Sequence, residues 1–461
     1  MKVSVSSKKI VVLGAGISGL TTAYLLSKNG CDVTVLEKKG EPGGTMESVM
    51  ENGFLFDRGP NSGLEITPVI SSIVKDLGLE NQFVYANKEG NKRYILRNNQ
   101  LHALPMSPPA ILKTRLFSTS AKLRVLGEPF IGRSNDGYYE SVAEFVKRRL
   151  GKEFLDYAID PFVAGVYAGN PERLSVKSAF PKLYELEEKY GGLIIGAVKS
   201  VRERKRRTEK SKQSAKMFSF KDGMQTLPKA IALNLDNKVS FFSDVSLIEK
   251  IEGGNYKIHY NKAGVNNEII CEKIISAVPA YAAADLFKTF DAGLEKHLTE
   301  IYYPPVFVLL LGYRKEDIKR PLDGFGFLVP SKENKSFLGA IWNSVIFPNR
   351  AEKDYASFTL FIGGSRNPEI GKYDRELITN KAKAEFREIM KIDAEPVFTS
   401  SKFWDRAIPQ YNVGYIEHEE YFEEFEKINP GIILNGNYRG GISVGDCIKN
   451  AAKITEKMVV N

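Results

Sequence analysis

The hydrophobic positions at the start of the chain alternate between short apolar runs and a helix-like spacing. Ile10–Leu13 and Asp32–Leu36 are short runs rich in β-branched residues, which is typical of buried parallel strands. Between them, Ser18–Lys28 carries the mixed apolar pattern of a helix, and Gly30 is a residue that commonly ends one. The pattern therefore predicts a β-α-β unit near the N-terminus.

A glycine-rich turn joins the first strand to this helix. In the spacing G-x-G-x-x-G, Gly14 allows a tight bend, Gly16 lets a pyrophosphate approach the backbone, and Gly19 lets the helix pack on the strand. The helix directs its free N–H groups and its dipole toward the phosphate. Glu37 ends the second strand, where a carboxylate can accept both hydroxyls of an adenosine ribose and disfavours a 2′-phosphate. These features predict a dinucleotide site that comprises Gly14, Ala15, Gly16, Ile17, Ser18, Gly19, Glu37 and Lys38.

The segment after this unit favours FAD over a nicotinamide dinucleotide. A glycine doublet follows the ribose acid, and in many flavoproteins such a doublet lets the chain pass close beneath the middle of the cofactor. A Gly-Pro-Asn sequence further on predicts a rigid turn that can approach a ring, an excursion that nicotinamide folds do not need. Thr45 stands where the common doublet is followed by arginine, so we expect the pyrophosphate to lack one cation. The FAD contacts predicted here are Gly43, Gly44, Thr45, Gly59, Pro60, Asn61 and Ser62.

A second glycine-rich turn lies near the end of the chain, in the stretch GNYRGGISVGDCIKNAAK. Ile433–Asn435 predicts the end of a strand, Gly436–Gly441 a turn, and the residues from Ile442 through Ala451 a helix. The positive N-terminus of that helix can stabilise the negative charge of a reduced flavin. We therefore predict that the first turn holds the pyrophosphate and the second turn the isoalloxazine ring, through Gly436, Ile442, Ser443 and Val444.

The remaining pattern predicts three domains of α/β and α+β class. Residues 105–215 show mostly helical spacing and predict a helical domain. Residues 86–104 and 291–395 are rich in strand-like alternation and predict a β-rich substrate-binding domain. Strand–turn–helix patterns return at 216–290 and 396–461. With residues 1–85 they predict a discontinuous Rossmann-like FAD-binding domain, into which the helical domain is inserted.

Composition argues against several other kinds of site. The chain has 461 residues, of which 43% are hydrophobic and 26% charged, so it can form a large core and is not globally disordered. Cys31, Cys271 and Cys447 lie far apart, which argues against a disulfide scaffold or a thiolate metal site and fits a reducing compartment. No two of the four histidines have a ligand spacing such as HxxxH, so we expect no metal site.

The charge and the apolar runs bear on location. No apolar run reaches the ~18 residues of a membrane span, and the N-terminus has no apolar core of a signal peptide, so we expect a cytoplasmic protein. The net charge is +9, and much of it lies in Val201–Lys216. That stretch predicts a solvated surface or contact with an anionic membrane surface. Because no aromatic residue interleaves it, we expect no nucleic-acid partner.

Motifs along essentially the whole chain resemble those of one family. The chain contains, in order, GAGISGLTTAYLL, GPNS, PFVAGVYAG, FSFKDGMQTLP, GFGFLVPSKE, FIGGSR, AIPQY and GNYRGGISVG. Together they resemble the FAD-dependent protoporphyrinogen and coproporphyrinogen oxidases of haem biosynthesis, within the flavin monoamine oxidase-like superfamily. Amine oxidases and phytoene desaturases share only the FAD-binding ends, so the internal motifs carry most of the resemblance.

The resemblance implies a reaction. It is the oxygen-dependent oxidation of protoporphyrinogen IX to protoporphyrin IX by three rounds of hydride transfer to FAD, with release of hydrogen peroxide. A sister group acts on coproporphyrinogen III instead, and the sequence leaves this choice open. The resemblance also implies a homodimer and peripheral contact of the helical domain with the inner face of the cell membrane. No catalytic side chain is expected, because FAD performs the redox step.

The resemblance also implies roles for individual residues. Arg93 corresponds to the arginine that pairs with a substrate propionate, and Gly165 to a backbone carbonyl near the pyrrole N–H groups. The apolar side chains that sandwich the macrocycle correspond to Leu328, Ile341 and Phe361. A porphyrinogen is a large apolar ring with carboxylates at one edge, so apolar walls with a cation fit it.

For the cofactor, the resemblance adds two residues beyond the glycine turns. The backbone of Val245 is expected near the adenine, and Trp404 is expected to line the FAD site. Two rival readings stay open. A flavin amine oxidase would share the FAD-binding ends and often carries a covalent cysteine, a role that Cys447 could fill from its position after the final glycine turn. A flavin-free escort protein of the same fold would bind only a partner.

Overall fold

A computed structural model describes residues 9–105, 107–134, 136, 139–204 and 215–460. Its strands, in chain order, are β1 Lys9–Leu13, β2 Asp32–Leu36, β3 Ser48–Glu51, β4 Phe54–Asp57, β5 Gly63–Leu64, β6 Phe83–Tyr85, β7 Arg93–Arg97, β8 Gln100–Ala103, β9 Met217–Phe220, β10 Val239–Ser240, β11 Ser243–Lys250, β12 Tyr256–Lys262, β13 Val265–Cys271, β14 Lys273–Ser276, β15 Val306–Arg314, β16 Gly326–Leu328, β17 Phe337–Trp342, β18 Tyr355–Gly363, β19 Phe398–Trp404 and β20 Ile432–Leu434.

The α-helices alternate with these strands and dominate the middle of the chain. They are α1 Ile17–Lys28, α2 Pro68–Asp76, α3 Pro108–Lys113, α4 Thr119–Leu126, α5 Val142–Arg149, α6 Lys152–Phe154, α7 Asp160–Tyr167, α8 Val176–Ala179, α9 Pro181–Tyr190, α10 Leu193–Arg204, α11 Thr226–Leu235, α12 Ala280–Phe287, α13 Ala292–Thr299, α14 Asn343–Ile346, α15 Arg375–Met390, α16 Tyr415–Ile428 and α17 Val444–Val460. The predicted α/β and α+β class is confirmed.

A five-stranded parallel sheet carries both glycine turns. Its strand order is β10-β2-β1-β14-β20, and every neighbouring pair runs parallel. The first turn follows β1 and the second follows β20. Because the carboxyl ends of parallel strands meet at one edge of a sheet, both turns lie at the same edge, where α/β sheets bind their ligands. The predicted β-α-β unit is confirmed, with β1 and α1 each beginning one residue earlier than expected.

The last helix is longer than the pattern predicts. It begins at Val444 and continues to Val460, whereas the sequence predicts an end at Ala451. The additional turns carry Ile454 and Met458, which pack against the core formed by the parallel sheet, α1 and α11. This packing at helical spacing stabilises the extra turns.

A seven-stranded sheet forms a second layer of the molecule. Its strand order is β19-β15-β18-β17-β16-β7-β8, antiparallel except for the pair β16 and β7. One face packs on α15 through buried side chains that include Phe358 and Phe386. The strand β19 pairs with β15 in this sheet, so the segment after residue 396, assigned from the sequence to the FAD-binding domain, begins as an edge strand of the seven-stranded sheet.

Helices α3–α10 lie between β8 and β9 in the chain. A buried ion cluster holds part of this block together: the Arg149 guanidinium contacts the carboxylates of Glu128 at 2.9 Å and Glu187 at 2.5 Å. The basic stretch Val201–Lys216 lies mostly outside the described residues, since 205–214 are not among them. Within the described part of the chain, no helix combines the length and the apolar character needed to cross a bilayer.

Candidate cofactor and substrate site

The three glycines of the first turn have different surroundings. Gly14 has φ of +95°, which glycine adopts readily, and its N–H donates to the carbonyl oxygen of Leu36 at 2.8 Å. A Cβ on Gly19 would lie 2.1 Å from the carbonyl oxygen of Gly14, so this glycine lets α1 pack on the turn. A Cβ on Gly16 would meet no atom within 4 Å. The open space at Gly16 is the space that the sequence assigns to a pyrophosphate.

The N-terminus of α1 is suited to an anion. Its N-cap residue, Gly16, provides no side-chain acceptor, and no acidic residue lies in the first turn. The first N–H groups of the helix therefore point toward the open side of the turn, together with the positive end of the helix dipole. A phosphate group fits this position by both hydrogen bonding and charge.

Glu37 is buried at the end of β2. Its carboxylate accepts the N–H of Ala15 at 2.6 Å and the N–H of Lys39 at 2.7 Å, which fixes it beside the first glycine turn. The N–H of Ser243 donates to the carbonyl oxygen of Glu37, which brings the start of β11, with Val245 two residues further on, to the same place. The predicted ribose and adenine contacts therefore lie together.

Two neighbouring lysines follow Glu37 and point in different directions. Lys38 pairs with Asp244 at 2.9 Å on the surface. The ammonium of Lys39 instead lies 3.3 Å from the carbonyl oxygen of Gly44, in the glycine doublet. The sequence predicts Lys38, and not Lys39, as a cofactor contact. The Lys39 ammonium lies beside the glycine doublet, which directly precedes Thr45, the position where an arginine is lacking.

The glycine doublet lies against the first turn. The N–H of Gly43 donates to the carbonyl oxygen of Ala15 at 2.9 Å, and a Cβ on Gly44 would lie 3.4 Å from Cα of Gly16. The Gly-Pro-Asn segment crosses just beyond, because a Cβ on Gly59 would lie 1.9 Å from the carbonyl oxygen of Thr45. The first glycine turn, the glycine doublet and the Gly-Pro-Asn segment thus form one continuous surface.

A buried acceptor on this surface lacks a partner. The Nδ2 atom of Asn61, between Pro60 and Ser62, donates to the carbonyl oxygen of Asp57 at 3.0 Å. Its Oδ1 atom is buried and has no hydrogen-bond partner among the described residues. Such an atom is costly unless a ligand donates to it. The open Gly16, the uncapped helix and this acceptor fit a dinucleotide with a polar ring system.

Trp404 lies beside the same segment. Its indole N–H donates to the carbonyl oxygen of Arg58 at 2.7 Å, directly before the Gly-Pro-Asn turn. The Lys39 ammonium lies 5.9 Å from the centre of its ring. Trp404 therefore joins the edge strand β19 of the seven-stranded sheet to the segment that carries the Gly-Pro-Asn turn.

The second glycine turn is held by two stacked tyrosines. The Tyr411 hydroxyl donates to the carbonyl oxygen of Asn437 at 2.8 Å and accepts the N–H of Gly441 at 2.9 Å. The Tyr415 hydroxyl donates to the carbonyl oxygen of Tyr438 at 2.5 Å. Burial raises the pKa of Tyr411 and Tyr415 well above the ordinary value, so both remain protonated donors at neutral pH. The AIPQY motif contains Tyr411, but the sequence does not predict this role.

A buried asparagine links the two turns. The Nδ2 atom of Asn435, the residue before the second turn, donates to the Thr22 hydroxyl of α1 at 3.0 Å. At the other end of the turn, the Ser443 hydroxyl and the Asp446 carboxylate are 2.6 Å apart and cap α17. This carboxylate puts a negative charge in the first turn of α17. It offsets part of the positive helix end that the sequence predicts would stabilise a reduced flavin.

Four of the five predicted substrate residues share one face of the seven-stranded sheet. Phe361 of β18 and Leu328 of β16 both lie opposite Gly339 of β17. Ile341 of β17 and Arg93 of β7 both lie opposite Gly326 of β16. Paired residues, and alternate residues along a strand, point to the same side of a sheet. All four predicted side chains are accessible on strands that are otherwise mostly buried.

Helix α7 lies against this face. Gly165 is exposed, and a Cβ there would lie 2.5 Å from Cδ2 of Leu328, so the absence of a side chain allows the contact. A π-helical turn, Leu155–Ile159, directly precedes α7, a feature frequent at functional sites. The structure therefore brings Gly165 together with the predicted apolar wall.

Two of the family-like motifs anchor α7 at its ends. Arg366 of FIGGSR pairs with the Asp160 carboxylate at 2.8 Å, at the start of the helix. The N–H of Ser365 donates to the carbonyl oxygen of Ala168 at 2.7 Å, just after the helix. Gln410 of AIPQY donates to the carbonyl oxygen of Tyr167 at 2.8 Å. Through these residues the two motifs fix the position of α7.

Arg93 is a cation without a carboxylate partner among the described residues. Its guanidinium lies 5.4 Å from the centre of the Phe325 ring. Partial burial lowers the pKa of the Arg93 guanidinium from its ordinary value, and no acidic group among the described residues raises this pKa again. Arg97, on the same face of the same strand, pairs with Glu153 at 2.7 Å. Arg93 is therefore available to bind the carboxylate of a ligand.

The second glycine turn and α7 approach each other. Ile442, at the end of the second turn, packs on the cluster of buried residues that includes Tyr167 of α7. Cys447 is only 4% exposed and lies in the core between α17 and the parallel sheet. A buried thiol of this kind is poorly suited to a covalent bond with flavin.

Comparison with known proteins gives a consistent family. The sequence pattern of flavin-containing amine oxidoreductases matches residues 17–454. The chain is 36% identical to protoporphyrinogen oxidase 2, chloroplastic/mitochondrial, of Arabidopsis thaliana, covering 99% of this chain and 94% of that protein. It is 28% identical to coproporphyrinogen III oxidase of Bacillus subtilis (strain 168), covering 96% of each. A crystal structure from Exiguobacterium sp. 255-15, provisionally described as a protoporphyrinogen oxidase, shares the fold with a TM-score of 0.80 at 21% identity over 99% of both chains.

Proposed function

Because the chain belongs to the family of flavin-containing amine oxidoreductases and uses FAD, we propose that it oxidises a porphyrinogen in haem biosynthesis, with protoporphyrinogen IX as substrate. The observation that supports this most directly is the accessible face of the seven-stranded sheet. It combines three apolar side chains, at Leu328, Ile341 and Phe361, with the guanidinium of Arg93, which has no carboxylate partner among the described residues. This is the surface that a large apolar ring with carboxylates at its edge requires.

We propose that FAD is held along the edge of the parallel sheet. The N-terminus of α1 and Lys39 would bind the pyrophosphate, and Glu37 the ribose. The Oδ1 atom of Asn61 and the backbone of Gly436–Gly441 would contact the ring. When bound, FAD supplies the hydride acceptor for three successive two-electron oxidations, and oxygen regenerates it with release of hydrogen peroxide.

The chain itself then contributes mainly binding and orientation. Arg93 would fix one edge of the substrate through a carboxylate, and the apolar side chains would fix the plane of the ring. Helix α7, held at both ends by Arg366 and Gln410, would bound the substrate on the other side. Since this positioning needs no titrating side chain, we propose that the reaction proceeds without a catalytic acid or base from the protein.

The main alternative substrate is coproporphyrinogen III, by the same mechanism. The likeness to the Bacillus subtilis coproporphyrinogen III oxidase, over 96% of both chains, favours it as the second candidate. A flavin amine oxidase is a further alternative, since the family includes such enzymes. The buried Cys447 argues against an amine oxidase with covalently bound flavin.

Anaerobic mixing with each candidate substrate tests the proposed function. We expect protoporphyrinogen IX to bleach the visible absorption of the flavin rapidly, and coproporphyrinogen III more slowly. Putrescine, the amine in this comparison, should leave the absorption unchanged. Faster bleaching by coproporphyrinogen III would reverse the order of the two substrates. Bleaching by the amine alone would contradict the proposal.

We also propose that the helical block, residues 105–215, contacts a membrane surface peripherally. Leu123 and Leu126, three positions apart on α4, are each 63% exposed, and Phe130 just beyond is 92% exposed. We expect the protein to float with vesicles that contain anionic lipid. The Phe130→Ser variant should float several-fold less, whereas Leu233→Ser, at a leucine of α11 that is 82% exposed, should behave like the wild type. Equal flotation of all three proteins would contradict the proposal.

A further inference from the structure

Two histidines far apart in sequence meet where α13 packs on α16. The Nδ1 atoms of His297 and His418 lie 2.8 Å apart. Glu300, at the C-cap of α13, lies beside them, and one ligand atom from each of the three residues falls within 4.8 Å of the others. The histidines are 121 positions apart, so no spacing rule applied to the sequence can find this cluster.

From this geometry we propose that His297, Glu300 and His418 form a binding site for Zn²⁺ that joins α13 to α16. Two imidazole nitrogens and one carboxylate oxygen are a ligand set that zinc commonly takes, with water in the fourth position. Tetrahedral ligands at the usual Zn–N distance lie roughly 3.3 Å apart. The two imidazoles, which now face each other across a hydrogen bond, would separate by about half an ångström and turn their nitrogens toward the ion.

The surroundings hold both imidazoles in place. The Tyr421 ring stacks on His297 with centroids 4.3 Å apart, and the Tyr415 ring meets His418 edge-on at 5.6 Å. Both histidines are half-buried, whereas Glu300 is exposed, so an ion can enter from solvent.

The position of the cluster links it to the cofactor surface. His418 lies one helical turn after Tyr415, whose hydroxyl donates to the carbonyl oxygen of Tyr438 in the second glycine turn. A metal that joins α13 to α16 would therefore stabilise the helix that supports this turn. The proposal does not depend on the identity of the substrate, because it rests on these two helices alone.

The test uses the FAD-loaded protein after treatment with a chelator. Titration calorimetry with ZnCl₂ should give one zinc per chain, and saturating zinc should raise the Tm at which flavin is released. The variants His418→Gln and Glu300→Gln should each weaken zinc binding by at least about tenfold. Glu300 is exposed, so its variant keeps the test valid if His418→Gln folds poorly.

His259→Gln is the matched control. Its two ring nitrogens contact different carboxylates, those of Glu249 at 2.7 Å and Glu268 at 3.1 Å, so the three groups do not converge on one point. This variant should bind zinc as the wild type does. The proposal is overturned if the wild type binds no zinc, if neither His418→Gln nor Glu300→Gln weakens the binding, or if His259→Gln weakens it equally.

Discussion

Gly16→Val is expected to purify without flavin while keeping its fold. The residue has φ of −73° and ψ of 172°, a conformation that valine adopts without strain, and its Cβ would meet no protein atom within 4 Å. The added side chain would instead fill the space in front of α1 that we assign to the pyrophosphate. We expect FAD binding to weaken by more than about 100-fold, equivalent to ~2.8 kcal/mol. Flavin absorbance per protein and the circular dichroism spectrum measure the two effects separately.

The same substitution at Gly132 provides the control. A Cβ there also meets no atom within 4 Å, and the Gly132 carbonyl oxygen accepts hydrogen bonds from Arg148 and Arg149 of the helical block. Gly132→Val should therefore retain a full complement of flavin. If Gly16→Val is as yellow as Gly132→Val, the first glycine turn does not hold the pyrophosphate.

Local signals explain why the geometry of the first glycine turn could be predicted from sequence. Gly14, Gly16 and Gly19 act within one strand, one turn and one helix, so their spacing alone specifies the geometry. The neighbouring lysines show the limit of this reasoning. Lys38 and Lys39 are chemically equivalent in the sequence, and only the path of the chain after β2 decides that Lys39 reaches the glycine doublet.

The face of the seven-stranded sheet that we propose binds the substrate could not be predicted from local sequence pattern alone. Alternation predicts the strands that carry Leu328, Ile341 and Phe361, but their shared face depends on strand order and register. The resemblance to a family supplied these residues, and the register brings them together. Roles that depend on partners distant in sequence could not be predicted. Tyr411 acts on backbone atoms 26 and 30 residues away, so the AIPQY motif could be noticed but not explained.

Arg93→Ala is expected to lower kcat/KM for the porphyrinogen by about 10- to 100-fold, or ~1.4 to 2.8 kcal/mol, without changing the flavin spectrum. We expect this loss because Arg97, the other arginine on this face of β7, is already paired with Glu153. Arg97 therefore cannot replace Arg93 as the partner of a substrate carboxylate. It stays below the ~3–5 kcal/mol of a fully buried pair, because the Arg93 side chain is only partly buried and remains accessible to solvent. Steady-state kinetics should show the effect mainly in KM, since the carboxylates are remote from the reacting carbon.

Arg314→Ala is the matched control for this variant. Arg314 ends β15 in the same sheet, is exposed, and lies 3.7 Å from Glu316, so removing its charge should leave KM unchanged. Substrate choice gives a second readout, since protoporphyrinogen carries two propionates and coproporphyrinogen four. If the substrate site of the wild type accommodates two carboxylates, its kcat/KM should be higher for protoporphyrinogen than for coproporphyrinogen. Arg93→Ala should reduce the ratio of these two values. If Arg93→Ala leaves the KM values for both porphyrinogens unchanged, Arg93 is not part of the substrate site. If the wild type has the higher kcat/KM for coproporphyrinogen, coproporphyrinogen is the substrate.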